Sequence, residues 1–175
     1  MKKTNSVKKF LSAIFSVIFV ICSIFLCSCT KYTRDDFYKE NAEWVSDKLT
    51  IETKGFHYVF GKQKTDYNEI EVLVDIFQPN RRGGIFLVSD FDDDFIKEVK
   101  NDIETKITSI ELNRKIRDYI SEKGIKEAYL FTFDYKASPD RVEFKIEKDN
   151  YSETVGQESR VGETWVLTRH DLSQE

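Results

Sequence analysis

The sequence predicts an α+β domain in which a mainly antiparallel sheet packs on one or two helices, and two observations carry that reading. Apolar residues recur at every second position in short runs between Leu49 and Ile76 and again between Tyr129 and Ile146, the period of half-buried strands. Between them, from Asp92 to Lys123, the spacing lengthens to that of an amphipathic helix. Strands, then helix, then strands in short runs give an α+β domain with an antiparallel sheet. A small β-barrel carrying the helical stretch as an insertion is the alternative that fits the same pattern.

The elements follow in order from Asp35. Acidic residues at Asp35 and Asp36, followed by Phe37, Trp44 and Val45, suit a short helix with its acids at the positive end of the macrodipole; Trp44 and Val45 would equally begin a strand. Alternation then sets in at Leu49, Ile51 and Thr53 up to Gly55, at Tyr58 and Phe60 up to Gly61, and at Ile70, Val72, Val74 and Ile76. Ile85 to Val88 forms another short strand. The stretch Pro79-Asn80-Arg81-Arg82-Gly83-Gly84 reads as a hairpin loop, with glycine supplying positive φ. Its two arginines offer an anion a grip, although a solvated loop tip explains them more simply.

The helical stretch places Phe95, Ile96, Val99, Ile103, Ile107 and Ile110 on one face, with Ile116, Tyr119 and Ile120 as a second stripe. A single straight helix over Asp92 to Lys123 would be about 48 Å long, more than the roughly 40 Å breadth of a domain this size. A break is therefore expected. The β-branched Thr105, Ile107 and Thr108 weaken the helix there, and Thr108 with Glu111 forms a capping box that starts a second one. Gly124 ends it. Tyr129, Phe131, Phe133 and Tyr135 then line a strand, Ser138-Pro139-Asp140 turns the chain into Val142, Phe144 and Ile146, and a last strand lies near Thr164 to Thr168. The polar segment from Lys148 to Gly162 reads as a loop or a ragged pair of edge strands.

The first 28 residues have a different character. Lys2, Lys3, Lys8 and Lys9 precede an apolar run of 17 residues from Phe10 to Leu26, the pattern of an export signal. The run closes on Leu26-Cys27-Ser28-Cys29, which resembles the lipobox of bacterial lipoprotein precursors. That resemblance covers the leader alone. It implies a signal peptide over 1–28, a diacylglycerol thioether on Cys29, acylation of the new amino terminus, a lipidated tether over 29–34 and a single domain over 35–175. Two or three acyl chains hold a protein at a bilayer where one binds only marginally. A retained helix whose cysteines are merely small apolar residues is the alternative.

Charge and cysteine content then bound the exported part. The chain has 27 basic and 31 acidic residues, and the leader holds four basic and no acidic ones, so the mature protein carries 23 against 31, a net charge of −8. An acidic surface is repelled by nucleic acid and by anionic lipid, so neither is expected as an electrostatic partner, and the expected membrane link is the lipid on Cys29. Cys22, Cys27 and Cys29 are the three cysteines, and none lies beyond the lipobox. Stability must come from a packed core, which a chain of about 147 residues is long enough to build.

Motifs for chemistry are sparse. Asp90, Asp92 and Asp94 match the first three ligand positions of a calcium loop, but Phe95 and Asn101 stand where its glycine and bidentate glutamate belong. An acidic first helical turn explains the same carboxylates. His57 and His170 are the two histidines, and no local pattern joins either to a nucleophile. Asn150-Tyr151-Ser152 matches a glycosylation sequon, which carries no meaning in a bacterial host. No cofactor or catalytic set is expected. The reading that follows is a surface lipoprotein that binds a ligand, an envelope component or a protein partner without catalysis. An anchored hydrolase acting on cell-wall or extracellular polymer is the alternative; it requires two facing carboxylates in a cleft, or His57 or His170 bonded to both a serine and an acid.

Because no cysteine follows Cys29, melts of residues Thr30 to Glu175 with and without reductant are expected to superimpose. A midpoint that moves with reductant contradicts the cysteine count.

Overall fold

The structure, a computed structural model, describes residues 36–37, 41–76, 82–105, 107–133 and 139–171. The leader, Cys29, the tether, Arg81 and Ser138 lie outside the described residues. The chain divides into two compact units, Met1–Lys31 and Tyr32–Glu175, and all described residues belong to the second.

Eight strands form one closed antiparallel barrel: β1 Ala42–Val45, β2 Leu49–Thr53, β3 Tyr58–Lys64, β4 Glu69–Asp75, β5 Arg82–Leu87, β6 Tyr129–Phe133, β7 Arg141–Asp149 and β8 Thr164–Asp171. Each strand pairs with its neighbour in sequence, and β8 returns to pair with β1 from Ala42↔Asp171 to Val45↔Thr168. The expected open sheet packed on helices is thereby corrected to the barrel alternative. Alternation reports which residues of a strand face inward, and it is blind to whether the first and last strands meet. We call the end where β1 begins the lower end and the opposite one the upper end.

The inward residues fill the barrel. Phe131 stacks on Phe144 at 4.2 Å in the middle, Tyr129 meets Trp165 edge-on at 5.4 Å toward the upper end, and Phe133 leads down to Phe37, 5.2 Å away. Phe37 also lies 4.7 Å from Trp44 and is fully buried, so the chain just before β1 closes the lower end with an aromatic ring. The Trp44 indole N–H donates to Thr53 Oγ1 at 3.1 Å, which satisfies the one polar atom the ring brings inside. An eight-stranded barrel has an interior just wide enough for side chains or one small ligand, and here side chains take it.

Gly83 and Gly84 lie in β5 and not in a hairpin loop, with Arg82 as the first residue of the strand. A Cβ on Gly83 would fall 2.3 Å from the Phe131 ring, its cross-strand partner. The glycine is there so that an aromatic ring can lie against the backbone.

The connection from β5 to β6 leaves and re-enters at the upper end through a 3₁₀ turn, Val88–Asp90, and two helices, α1 Asp93–Glu104 and α2 Ser109–Lys123. The break falls where β-branching and the capping box place it. Thr108 Oγ1 accepts from the Glu111 N–H at 3.3 Å and its hydroxyl donates to the Glu111 carboxylate at 2.6 Å, while Gly124 ends α2 with φ 65°. Ile110 departs from the expected apolar face and is 79% exposed, because the break turns the first residues of α2 away.

Ile96 and Val99 of α1 and Leu112 and Ile116 of α2 join Tyr58, Leu73 and Phe86 in a second apolar cluster. These three point outward from β3, β4 and β5, so the helices cover one sector of the outer wall. The same cover explains why β4 is buried on both faces from Val72 onward. Two further corrections concern short segments. The strand β1 takes the last four residues of the helix expected over Asp35 to Val45, as the strand alternative at Trp44 and Val45 allowed, with only Asp36 and Phe37 helical among its described residues; the segment expected as a loop or edge strands from Lys148 to Gly162 ends β7, forms a one-turn helix, α3 Tyr151–Val155, and is otherwise loop.

Phe37→Ala removes a fully buried ring from the lower end. Such a truncation costs about 3 kcal/mol, and a drop in Tm of roughly 10 °C is expected in thermal melts followed by circular dichroism. An unchanged Tm would show that the ring does not close the barrel.

Candidate functional site

The carboxylates of the calcium-like pattern do not converge. Asp90 ends the 3₁₀ turn, Asp94 sits in the first turn of α1 at 3.6 Å from Lys97, and Asp92 accepts from the Tyr119 hydroxyl at 2.7 Å with Lys123 at 3.3 Å. The Tyr119 hydrogen bond, and then Lys123, hold the Asp92 carboxyl below its ordinary range. Asp92 is thus a clasp between the helices, beside the Phe95 and Tyr119 rings stacked at 3.7 Å. No group of three metal-ligating side chains occurs among the described residues.

His57 and His170 both belong to the lower end: His57 precedes β3 and is half-buried, and His170 is exposed on β8 opposite Glu43. Arg82 lies 3.7 Å from Glu147 on the barrel exterior. The Asn150 amide of the sequon donates to the Glu127 carbonyl at 2.8 Å, which ties α3 to the start of β6.

Among the described residues, concave surface lies in two regions. A groove of about 330 Å³ runs beside α1 over the outward faces of β2 and β3, floored by Phe60 and Ile103. Its lysines are engaged: Lys54 with Glu52 at 2.7 Å, and Lys62 with Glu69 at 3.2 Å. Around the upper rim lie two adjoining cavities of about 440 and 470 Å³, which share Leu87 and Tyr151 as walls. Ile70 completes the first cavity, and Ile125 and Val155 the second. Ile70, Leu87 and Tyr151 are half-buried residues packed against the barrel's interior cluster, so the cavities lie over the barrel mouth.

Beneath that cover the interior turns polar. Gln63, on the inward face of β3, donates from Nε2 to the Tyr129 hydroxyl at 3.1 Å, and both residues are fully buried. Asp149, 9% exposed, accepts from the Ser152 N–H and the Arg160 N–H, each at 2.8 Å, and so pins the connection carrying α3 onto the mouth. Two buried atoms here have no partner among the described residues, Gln63 Oε1 and Ser152 Oγ. Burial raises the Tyr129 hydroxyl above its ordinary value of 10.0. Sequence reasoning missed this cluster. Gln63 sits between Lys62 and Lys64 in a polar run, and its parity with Val59 and Gly61 was the available signal.

A second buried hydroxyl lies on the outer wall. Tyr58 is 4% exposed and hydrogen-bonds Asp75, which is directly opposite on β4, and Arg117 of α2. Burial, then the Asp75 carboxylate, push its pKa far above the ordinary 10.0.

In comparisons with known proteins the chain has no significant match to a family model, to a curated protein or to a solved structure.

Both raised tyrosines bind their protons more tightly folded than unfolded. The stability they contribute is fully present below pH 10 and is lost as the pH rises through their folded values. Urea midpoints are therefore expected to fall between pH 10 and 11.5, and Tyr58→Phe to flatten that fall while lowering the midpoint at pH 8. An equally steep fall in Tyr58→Phe would assign the alkaline loss to other groups.

Proposed function

We propose that this chain is an extracytoplasmic lipoprotein whose barrel is a non-catalytic binding module, anchored through lipid on Cys29. The observation that carries the reading is the leader, with its lysines, its apolar run and its Leu26-Cys27-Ser28-Cys29 close. Seven residues lie between Cys29 and Phe37, a reach of at most about 29 Å. Since Phe37 is seated in the lower end, that end would be held near the bilayer. The upper mouth, with its two cavities, would then face away from the membrane and toward whatever the protein meets. Binding suits a barrel whose interior is filled with side chains and whose concave surfaces lie on the rim and beside α1.

Expression of wild type and Cys29→Ala with labelled palmitate tests the anchor. The substitution is expected to abolish the label and to move the protein out of the washed membrane fraction. Labelling that persists at the wild-type level removes Cys29 as the acceptor.

A further inference from the structure

We propose that the turn between α1 and α2 seats the barrel on the bilayer, with the Ile110 side chain entering a neutral phospholipid surface beside the tether. The proposal deepens the anchored reading above and rests on it, because it names the face of the barrel that the membrane meets.

Three observations converge. The first is where the turn lies. α2 finishes at the upper end, where Lys123 is 3.3 Å from Asp92 and the Tyr119 hydroxyl donates to the same carboxylate at 2.7 Å. Further back along the helix, Arg117 hydrogen-bonds Tyr58, the first residue of β3, which pairs with Asp75, the last of β4. Tyr58 and Asp75 mark the lower end of the wall. Ile110 stands two turns beyond Arg117, about 10 Å farther along the axis. α1 descends to the same place: its Ile103 lines the groove together with Lys54 and Phe56 of the lower connection between β2 and β3. The helical hairpin therefore hangs from the upper end and turns at the lower one.

The second is what the turn exposes. Of the four large apolar side chains exposed among the described residues, Tyr67, Val155 and Val161 lie on upper connections and Ile110 lies at the lower end. Half-buried Ile107 stands three positions before it. The polar groups around them are already engaged: Thr105 donates to the Asn101 carbonyl at 2.9 Å, Thr108 to the Glu111 carboxylate at 2.6 Å, and the Asn113 amide to Ser109 Oγ at 3.2 Å. Groups bonded to one another lose little when water is displaced, so apolar contact here is only weakly opposed. Charge over residues 109–114 also cancels, with one acid at Glu111 and one base at Arg114. The mature chain as a whole, at −8, is repelled by anionic lipid, whereas this turn fits a neutral headgroup layer.

The third is the tether. The seven residues between Cys29 and Phe37 reach at most about 29 Å and end in the lower end, where Phe37 is fully buried. A lipid on Cys29 keeps that end within reach of the bilayer and makes the contact intramolecular. One isoleucine holds a free protein on a membrane too weakly to matter, but a short flexible linker supplies an effective concentration on the order of millimolar.

The test uses residues 29–175, which contain the compact unit Tyr32–Glu175 with both apolar clusters and whose one thiol is Cys29. That thiol is coupled to a maleimide lipid in phosphatidylcholine vesicles. Chemical coupling supplies the tether whether or not a cell acylates Cys29, so failure of the palmitate experiment and failure here are separate results. With bromine on the upper acyl chains, the ring in Ile110→Trp is expected to lose roughly half its emission on coupling, and that in Tyr67→Trp, at the other end, none. Trp44 and Trp165 are buried and give the common background. Amide exchange reads the contact without an added ring: residues 107–112 of the wild type should exchange about threefold more slowly coupled than uncoupled. Ile110→Ser should remove that slowing while leaving the Tm of the uncoupled chain unchanged, since the side chain is exposed. The proposal falls if neither ring is quenched, if both are quenched equally, if Tyr67→Trp is quenched more, or if the slowing survives Ile110→Ser.

Discussion

The fold depends on one ladder, the pairing of the first strand with the last. Val45 and Thr168 are register partners although nearly the whole barrel sequence lies between them. With that ladder formed, every strand has two neighbours and no backbone edge is left to pair with another chain. Closure also sets the composition of the interior. A cylinder of eight strands has a volume to fill, and the chain fills it with a column of rings from Trp165 and Tyr129 through Phe131 and Phe144 to Phe133, Phe37 and Trp44. Rings of that size need backbone without side chains beside them, and Gly83 provides it under Phe131.

The outer wall is not uniform. Where α1 and α2 lie on β3, β4 and β5, outward positions are apolar and form a core of their own; elsewhere they are polar, as at Glu143 and Lys145 of β7. The covered sector holds a buried tyrosine and carboxylate, Tyr58 and Asp75, where the open sectors hold exposed charges. Helices and barrel are also joined at the upper end, because the helical hairpin starts and finishes there. The rim cavities border the end of α2, the 3₁₀ turn and α3, three pieces that belong to neither the barrel wall nor its core.

What the sequence made legible was local. Strand alternation, the Thr108 and Glu111 capping box, the break before it and Gly124 all depend on residues a few positions apart, and the structure places them as read. Closure was not legible, since it depends on strand tilt and on partners at opposite ends of the chain. Gly83 and Gly84 were misread as a loop because glycine serves both positive φ and close packing, and only Phe131 across the sheet decides between them. The helix α3 was missed because its anchor is Asp149 gripping Ser152 and Arg160, not an apolar periodicity. Of the site, the aspartates drew attention by their spacing and serve as helix-turn and clasp residues. Gln63, by contrast, was hidden among lysines. A buried polar residue announces itself by strand parity, and parity becomes informative once the barrel's inside is known.

Phe37 has a mechanical consequence. A pull on the chain before it is delivered to the start of β1, directed out of the lower end along the strand axis. β1 is held on both sides, by β2 and by β8, so the load falls on two ladders in shear at once. A strand at the rim of an open sheet would instead peel, one hydrogen bond at a time. The ring of Phe37 is thus the first contact that a pull from the amino terminus meets, and the two ladders of β1 are the next.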